Sequence, residues 1–283
     1  MKELSLVSII MNCYNGEKYL SEAIDSVLSQ TYNNWEIIFW DNQSTDQSAE
    51  IVKRYDDPRI RYIYAPRHTL LYEARNYAIA NASGEFIAFL DVDDWWHEQK
   101  LEKQLTLFKD SDVGFVSSKF HVFNQANKKF RLFNKKKIHT GYVLDEILKD
   151  YQIGLLTLII RRSSMNELIG PCNPNYHIIG DFDLSVRLAL KWKFDCVQES
   201  LAYFRFHGNN ESSRNRDLLV KELKHWESVN KNNECINNSL SFKFFSDKYT
   251  YIEIVDYLIA GQKKKAVSLI PKVISIHMRL KLF

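Results

Sequence analysis

The sequence predicts an α/β protein with a mixed sheet, mainly parallel in its N-terminal half and covered by helices on both faces. Three observations predict it. Short apolar, β-rich runs alternate with helix-period stripes over the first ninety residues, an order that favours parallel strands joined by crossover helices. Breaks such as Asn15-Gly16 and Ser83-Gly84 separate the runs from what flanks them. Polar clusters follow three of the strands, and parallel connection brings all three to the carboxyl edge of the sheet.

Leu6 to Met11 is the first β-rich run. In the next stretch Leu20, Ala23, Ile24, Val27 and Leu28 fall at i, i+3, i+4, i+7 and i+8, one buried stripe on one helix. Trp35 to Trp40 supplies a second strand. Ser44 with Gln47 reads as a capping box opening a helix through Ile51, Val52 and Tyr55. Ile60 to Tyr64 is a third strand, about Leu71 to Ala80 a third helix, and Glu85 to Leu90 a fourth strand. After Asp94 the pattern loosens. Leu101, Leu105 and Phe108 suggest a helix, and Val113 to Ser117 with Phe120 to Phe123 suggest two strands near a basic turn at Lys128-Lys129. Gly154 to Ile160 reads as a buried strand, and Asp181 to Lys191 as a helix with Leu184, Leu188 and Trp192 inward.

Composition sets the outer bounds. With 283 residues and 45% hydrophobic content the chain holds a real core in one large or two modest domains. A net charge of +3, from 38 basic against 35 acidic residues, gives no argument for a nucleic-acid partner. Cys13, Cys172, Cys196 and Cys235 are scattered without a metal-ligand spacing, which favours reduced thiols in a cytoplasmic protein. No charged and apolar leader is read at the N-terminus. The Gly154–Ile160 run falls far below the roughly 20 residues of a membrane span.

Asp91-Val92-Asp93-Asp94 places three carboxylates in four residues at the end of the fourth strand. Like charges this close repel unless a cation or hydrogen-bond donors offset the cost, so a divalent metal is the economical explanation; a solvated turn with helix-capping acids is the plain one. The other two clusters on the same edge are Asn12 to Asn15 and Asp41-Asn42.

Val7-Ser8-Ile9-Ile10-Met11-Asn12-Cys13-Tyr14-Asn15-Gly16, then Ser29-Gln30-Thr31-Tyr32 and Trp35-Glu36-Ile37-Ile38, resembles the start of the family-two glycosyltransferases with the GT-A fold. Asp41-Asn42-Gln43-Ser44-Thr45-Asp46, Ala74-Arg75-Asn76, Ala82-Ser83-Gly84-Glu85 and Phe89-Leu90-Asp91-Val92-Asp93-Asp94 continue the resemblance, which is strong over about residues 5–105 and fades by about 212. It implies a metal-dependent, inverting transfer from a nucleotide-sugar, UDP-linked, to a hydroxyl of a glycan or lipid-linked glycan in cell-surface polysaccharide synthesis. It implies Asp93 as ligand of Mn²⁺ or Mg²⁺, with Asp91 beside it on metal, water or ribose, and Asp94 orienting the loop or capping the next helix. Asn12, Tyr14, Asn15, Asp41 and Arg75 match nucleotide-binding positions, Asp41 at the base; the plain reading of Arg75 is a structural salt bridge.

Gly180-Asp181-Phe182-Asp183-Leu184-Ser185-Val186-Arg187 resembles the family's Glu-Asp helix start, which puts Asp181 at the general-base position with Asp183 as its understudy. Phe204-Arg205-Phe206-His207 resembles the segment whose His returns to the metal, with Arg205 or His207 as a phosphate contact. Three departures stand out: Asn12 occupies the place of a Pro, Asn42-Gln43 that of Asp-Gly, and Gly180 that of Glu. The last leaves a second reading open, a catalytically idle nucleotide-sugar- or glycan-binding subunit of the same fold.

The expected organisation is a GT-A domain over 1–213, with a nucleotide-binding half to about 98 and an acceptor half over 99–213, followed by a basic helical extension over 214–283. Asp256 is the last acid, and Lys263, Lys264, Lys265, Lys272, Arg279 and Lys281 follow it. With Ala266, Ile270, Val273 and His277 at near-helical spacing, the extension reads either as a peripheral contact with the cytoplasmic face of a membrane or as a helix packed with its lysines outward. Pro271 breaks the pattern.

Overall fold

A computed structural model describes residues 4–208 and 210–273. In chain order the elements are β1 (Val7–Cys13), α1 (Leu20–Leu28), β2 (Trp35–Asp41), α2 (Ser48–Lys53), β3 (Ile60–Tyr64), α3 (Leu71–Ala80), β4 (Phe86–Phe89), β5 (Trp95–Trp96), α4 (Lys100–Leu105), β6 (Val113–Asn124), β7 (Lys129–Leu132), α5 (Leu144–Lys149), β8 (Ile159–Arg161), α6 (Arg162–Asn166), α7 (Gly180–Ala189) and β9 (Lys193–Phe206). Among the described residues, helices follow at α8 (Glu211–Arg214), α9 (Arg216–Asn230), α10 (Glu234–Asn237), α11 (Phe245–Ile259) and α12 (Lys263–Leu269). The chain divides into two compact units, one of residues 1–143 with 152–208, the other of 144–151 with 209–283.

In the first unit the described strands form one sheet in the order β3-β2-β1-β4-β8-β6-β9-β5, with β7 paired to β6. The β3-β2-β1-β4 half is parallel, β8 runs antiparallel to both β4 and β6, and β6 and β9 pair in parallel. The mixed sheet thus has its parallel part where the β-α alternation stands. β1 and β2 are buried at every position. The predicted stripe on α1 is buried at Leu20, Ala23, Ile24 and Val27, while Leu28 packs against the core partly covered. Removing the Leu20, Ile24 and Val27 side chains from water contributes roughly 1.5–3 kcal/mol each.

Gly84 shows how closely the sheet is drawn together at its start. A Cβ there would lie 2.6 Å from the Leu6 carbonyl oxygen and 2.7 Å from the Ser8 nitrogen. In its place the Gly84 N–H donates to Ser8 Oγ at 2.8 Å, and Ser8 donates to the buried Glu36 carboxylate at 2.6 Å. Ser83 adds an N–H and a hydroxyl to the same carboxylate, and this cluster of donors outweighs burial to hold Glu36 below the ordinary carboxylate range.

Four elements differ from the sequence reading. Residues 155–157 form a 3₁₀ turn and the strand begins only at Ile159, because the Leu158 N–H bonds back to Leu155. The helix after β2 begins at Ser48 with no side-chain cap, since the Ser44 hydroxyl accepts from the Asn15 N–H instead of capping. Val113 to Asn124 is one strand with bulges, not two strands. The helix from Gly180 stops at Ala189, before Trp192.

The second unit is helical. Trp226 of α9 lies 5.0 Å from Phe245 of α11, ring centre to ring centre, and Ile236 and Phe242 are buried with them. Asp145 of α5 accepts from Ser241 N–H and from the hydroxyls of Ser239 and Ser241. Residues 144–151, expected within the catalytic domain, therefore belong with the C-terminal helices. α12 ends before Pro271, which sits in a 3₁₀ turn at Ile270–Lys272; Lys263, Lys264 and Lys265 are exposed and Ala266 and Val273 buried. His277, Arg279 and Lys281 lie outside the described residues. No helix among the described residues is long and apolar enough to cross a membrane.

Candidate active site

The carboxyl ends of β1, β2 and β4 lie at one edge of the sheet, as their parallel registers require. At β4 this edge carries Asp91 to Asp94. The loop packs on the exit of β1: a Cβ on Gly16 would meet Val92 Cγ2 at 2.6 Å, so only glycine allows the approach. Its three acids have different partners. Asp91 Oδ1 accepts from Arg75 Nη2 at 2.7 Å, with the Asp91 side chain still 40% exposed and that of Arg75 3%. Asp93 Oδ2 accepts from His207 Nε2 at 2.9 Å, and the His207 ring stacks on Tyr19. Asp94 is buried and accepts the Arg205 N–H at 2.8 Å; burial and the charges of Asp93 and Asp91 hold its carboxyl well above the ordinary range. Asp94 thus pins the acid loop to β9.

Arg205, one of the two expected candidates for a phosphate contact beside His207, is a structural clasp. Its side chain is buried, donates to the Asp93 carbonyl, Gln125 and Glu22, and lies over the rings of Tyr19 and Trp95 at 4.4 Å each. A guanidinium with this many fixed partners holds the loop geometry beneath it.

Metal ligation divides the same way. Among the described residues no three His, Cys, Asp or Glu side chains gather as a metal cluster, and Asp91 pairs with Arg75 while Asp93 pairs with His207. Of the expected set, Asp93 and His207 meet directly, while Asp91 gives one oxygen to Arg75 and keeps its side chain 40% exposed. Carboxylates are the donors that suit Mn²⁺ or Mg²⁺, which are commonly held by one or two of them and completed by water and substrate phosphates.

Near the end of β1, Asn12 is 8% exposed and neither atom of its side-chain amide has a protein partner. A buried amide in that state has its hydrogen bonds available to a ligand or water. Tyr14 is exposed, its ring centre 4.5 Å from that of His68, whose Nδ1–H donates to the Asn42 carbonyl. Asn15 takes a left-handed φ of 54°, and its Oδ1 accepts from Thr45, clamping the two loops together.

Asp41, expected at the nucleotide base, has 0% exposure; its oxygens accept from the Ser44 N–H at 2.7 Å and the Tyr62 hydroxyl at 2.6 Å. Both oxygens are bound within the fold, so Asp41 shapes the loop instead of presenting its carboxylate. Gln43 adopts φ 68°, the left-handed turn that a glycine would fill without strain.

Across from the acid loop stands the start of α7. Burial pushes the Asp181 carboxyl up to about 6, against the lowering pull of the Phe182 N–H and the Arg75 charge, with Asp91 adding to the rise. Asp181 is therefore close enough to the Asp91–Arg75 pair to sense both charges. Asp183, the expected understudy, is tied into the fold. It is 4% exposed, accepts from Arg187 Nε at 2.7 Å, and Arg187 in turn donates to the carbonyls of Gly170 and Pro171. The Asp183 carboxylate is thus engaged within the fold by Arg187.

Residues 8–166 match the family described as Glycosyl transferase family 2. The chain belongs to that family. This glycosyltransferase is 30% identical over 268 residues to the UDP-Glc:alpha-D-GlcNAc-diphosphoundecaprenol beta-1,3-glucosyltransferase WfgD of Escherichia coli, covering 92% of the chain and 95% of the relative. It is 34% identical over 215 residues to the putative teichuronic acid biosynthesis glycosyltransferase TuaG of Bacillus subtilis, covering 74% of the chain and 82% of the relative. Among solved structures it resembles TarS 1–349 of S. aureus in complex with UDP-GlcNAc, at TM-score 0.69 and 16% identity over 94% of this chain and 81% of that one. It also resembles the mannosyltransferase PcManGT of Pyrobaculum calidifontis with GDP-Man and Mn2+, at TM-score 0.67 and 15% identity over 99% and 79%. At those identities the likeness is one of fold, the GT-A fold of these glycosyltransferases.

Sequence reasoning missed Tyr72, which touches Gly180, Asp181 and Arg75. Its signal was the i,i+3 spacing of Tyr72 and Arg75 on α3. It also missed His68 beside Tyr14, for which no local pattern exists.

Proposed function

We propose that this family 2 enzyme transfers a sugar, with inversion, from a UDP-sugar to a hydroxyl of a lipid-linked glycan during cell-surface polysaccharide synthesis, with Asp181 as general base. The observation that carries the reading is the place of Asp181 at the start of α7, its N–H on the Tyr72 hydroxyl and Tyr72 against the Arg75 that pairs with Asp91; burial there pushes its carboxyl up. A base is most effective with its pKa near the working pH. The acceptor oxygen forms a bond to the anomeric carbon as the bond from that carbon to the diphosphate oxygen breaks. The electron pair leaves with the nucleoside diphosphate, and the acceptor proton passes to Asp181.

Asn12 and Tyr14 serve the nucleotide, Asn12 through its unpartnered amide and Tyr14 through an exposed ring. Asn15 holds the loop that carries them. Arg75 fixes Asp91 at the donor end. Asp93 and His207 would hold Mn²⁺ or Mg²⁺, which when bound supplies Lewis-acid stabilisation of the charge on the leaving diphosphate. The UDP-linked donor and the lipid-linked acceptor are supported by the match to WfgD over nearly the whole of both chains. A lipid-linked acceptor also favours work at the cytoplasmic face of a membrane, approached by the exposed Lys263, Lys264 and Lys265.

The test is a thermal-shift series with UDP, GDP and their sugars, with and without Mn²⁺, since a ligand bound to the native state raises its melting temperature. UDP is expected to shift wild type only with Mn²⁺ present and to leave Asp93→Ala unmoved. A metal-independent shift, or an equal one in Asp93→Ala, refutes the metal site; a shift with GDP alone refutes the donor.

A further inference from the structure

Gly180 opens α7 where the resembled family carries Glu, and Tyr72 supplies the physical reason. A Cβ on Gly180 would lie 2.4 Å from Cζ, 2.5 Å from Cε2 and 2.6 Å from Cε1 of the Tyr72 ring. The ring is 3% exposed and occupies the space that any side chain at 180 would need first. The Tyr72 hydroxyl accepts the Asp181 N–H at 3.0 Å. That N–H belongs to the first turn of α7, where backbone donors lack intrahelical partners and Ile179 at the N-cap makes no side-chain cap bond.

The same face of α3 reaches the donor end. One turn after Tyr72, the Arg75 guanidinium lies 4.8 Å from the Tyr72 ring centre and pairs with Asp91 at 2.7 Å. Asn76 exchanges two 2.8 Å hydrogen bonds with the backbone of Cys172, ahead of α7. Positions 72, 75 and 76 stand at i, i+3 and i+4, so one stripe of a single helix holds both the acid loop and the approach to the base.

We propose that Tyr72 is a positioning residue for the transfer: its ring takes the space of the absent Glu side chain, and its hydroxyl fixes the Asp181 backbone so that the carboxylate stands beside the Asp91–Arg75 pair. The inference rests on the reading of Asp181 as base and deepens it. No bond to Tyr72 forms or breaks in the reaction. Tyr72 and Gly180 are then one unit, a large ring matched to an absent side chain, and neither tolerates change without the other.

Tyr72→Phe keeps the ring and removes the hydroxyl, so hydrogen exchange at the Asp181 amide should rise roughly tenfold, the loss of one hydrogen bond. With UDP-glucose and Mn²⁺, kcat should fall by a similar factor while KM for UDP-glucose stays at the wild-type value. Gly180→Ala should lower the melting temperature, and Gly180→Ala with Tyr72→Ala should recover it without recovering kcat. Wild-type kcat with unchanged amide exchange in Tyr72→Phe overturns the proposal, as does a double variant that regains rate together with stability. If the wild type turns over no UDP-sugar, the reading of the protein as a UDP-sugar transferase fails on its own. The amide exchange then decides whether Tyr72 fixes Asp181: a rise upholds the contact, and no rise overturns it.

Discussion

The acid loop after β4 and the start of α7 are both rich in aspartate, and they treat it oppositely. In the loop, Asp91 and Asp93 keep part of their surface open, and each has one basic side chain as partner, Arg75 or His207. At α7, Asp183 is enclosed with Arg187, whereas burial governs Asp181 two residues earlier and pushes it up to about 6. Residue type alone therefore predicts nothing about role. A carboxylate with an intimate cation stays charged and structural or binds through its free oxygen. One partly buried without its own cation becomes able to take a proton near neutral pH.

Exchanging Asp181 breaks the contrast with the largest effect. Asp181→Asn should reduce transfer by about 10²–10⁴-fold, the usual contribution of a general base. The same variant should be more stable than wild type at pH 8. The Asp181 carboxyl holds its proton more tightly folded, at about 6, than unfolded, at about 3.9, so its favourable contribution is complete below about pH 4 and lost as pH rises through 6. Above that the partly buried charge is the less favourable form, a cost that the amide removes. Chemical denaturation of the two proteins across pH 4–8 measures it, and equal stability at pH 8 contradicts the burial argument.

Asp183→Asn should do the reverse. It leaves Arg187 without its carboxylate and costs about 2 kcal/mol of stability. Transfer by the folded protein should remain within a few-fold of wild type, by steady-state assay below its melting temperature. A loss as large as that of Asp181→Asn would move the base to Asp183.

Much of this was readable in the sequence, and the exceptions share a cause. The strands up to Phe89 were legible because each is a short apolar run, and the acid loop because its carboxylates are adjacent in the chain. Gly154 to Ile160 was misread since an apolar run carries no period that separates a 3₁₀ turn from a strand. Ser44 looked like a helix cap, but its hydroxyl is engaged by Asn15, 29 residues away. Asp41 sits where a motif predicts it and is turned inward by Tyr62, a partner in the next strand. Tyr72 and Gly180 meet only in the folded chain. Local pattern carries elements and motif order; it does not carry the partner that decides a carboxylate's state.

The smallest effect is expected at Gln43, on the loop that departs from the family's glycine. Gln43→Gly relieves a left-handed φ worth about 1 kcal/mol and loses part of that to the freer unfolded chain, so melting should rise by a few degrees at most. A fall in melting temperature would mean that the Gln43 side chain, which donates to the Ala65 carbonyl, outweighs the strain.

The central claim is tested most directly by the pH dependence of kcat/KM for wild-type enzyme with Mn²⁺ and its UDP-sugar. The predicted profile falls tenfold per pH unit below about 6, the titration of Asp181, and Asp181→Asn lacks that limb along with most of the rate. A profile flat from pH 5 to 8, or an Asp181→Asn variant with the wild-type limb and rate, would contradict it.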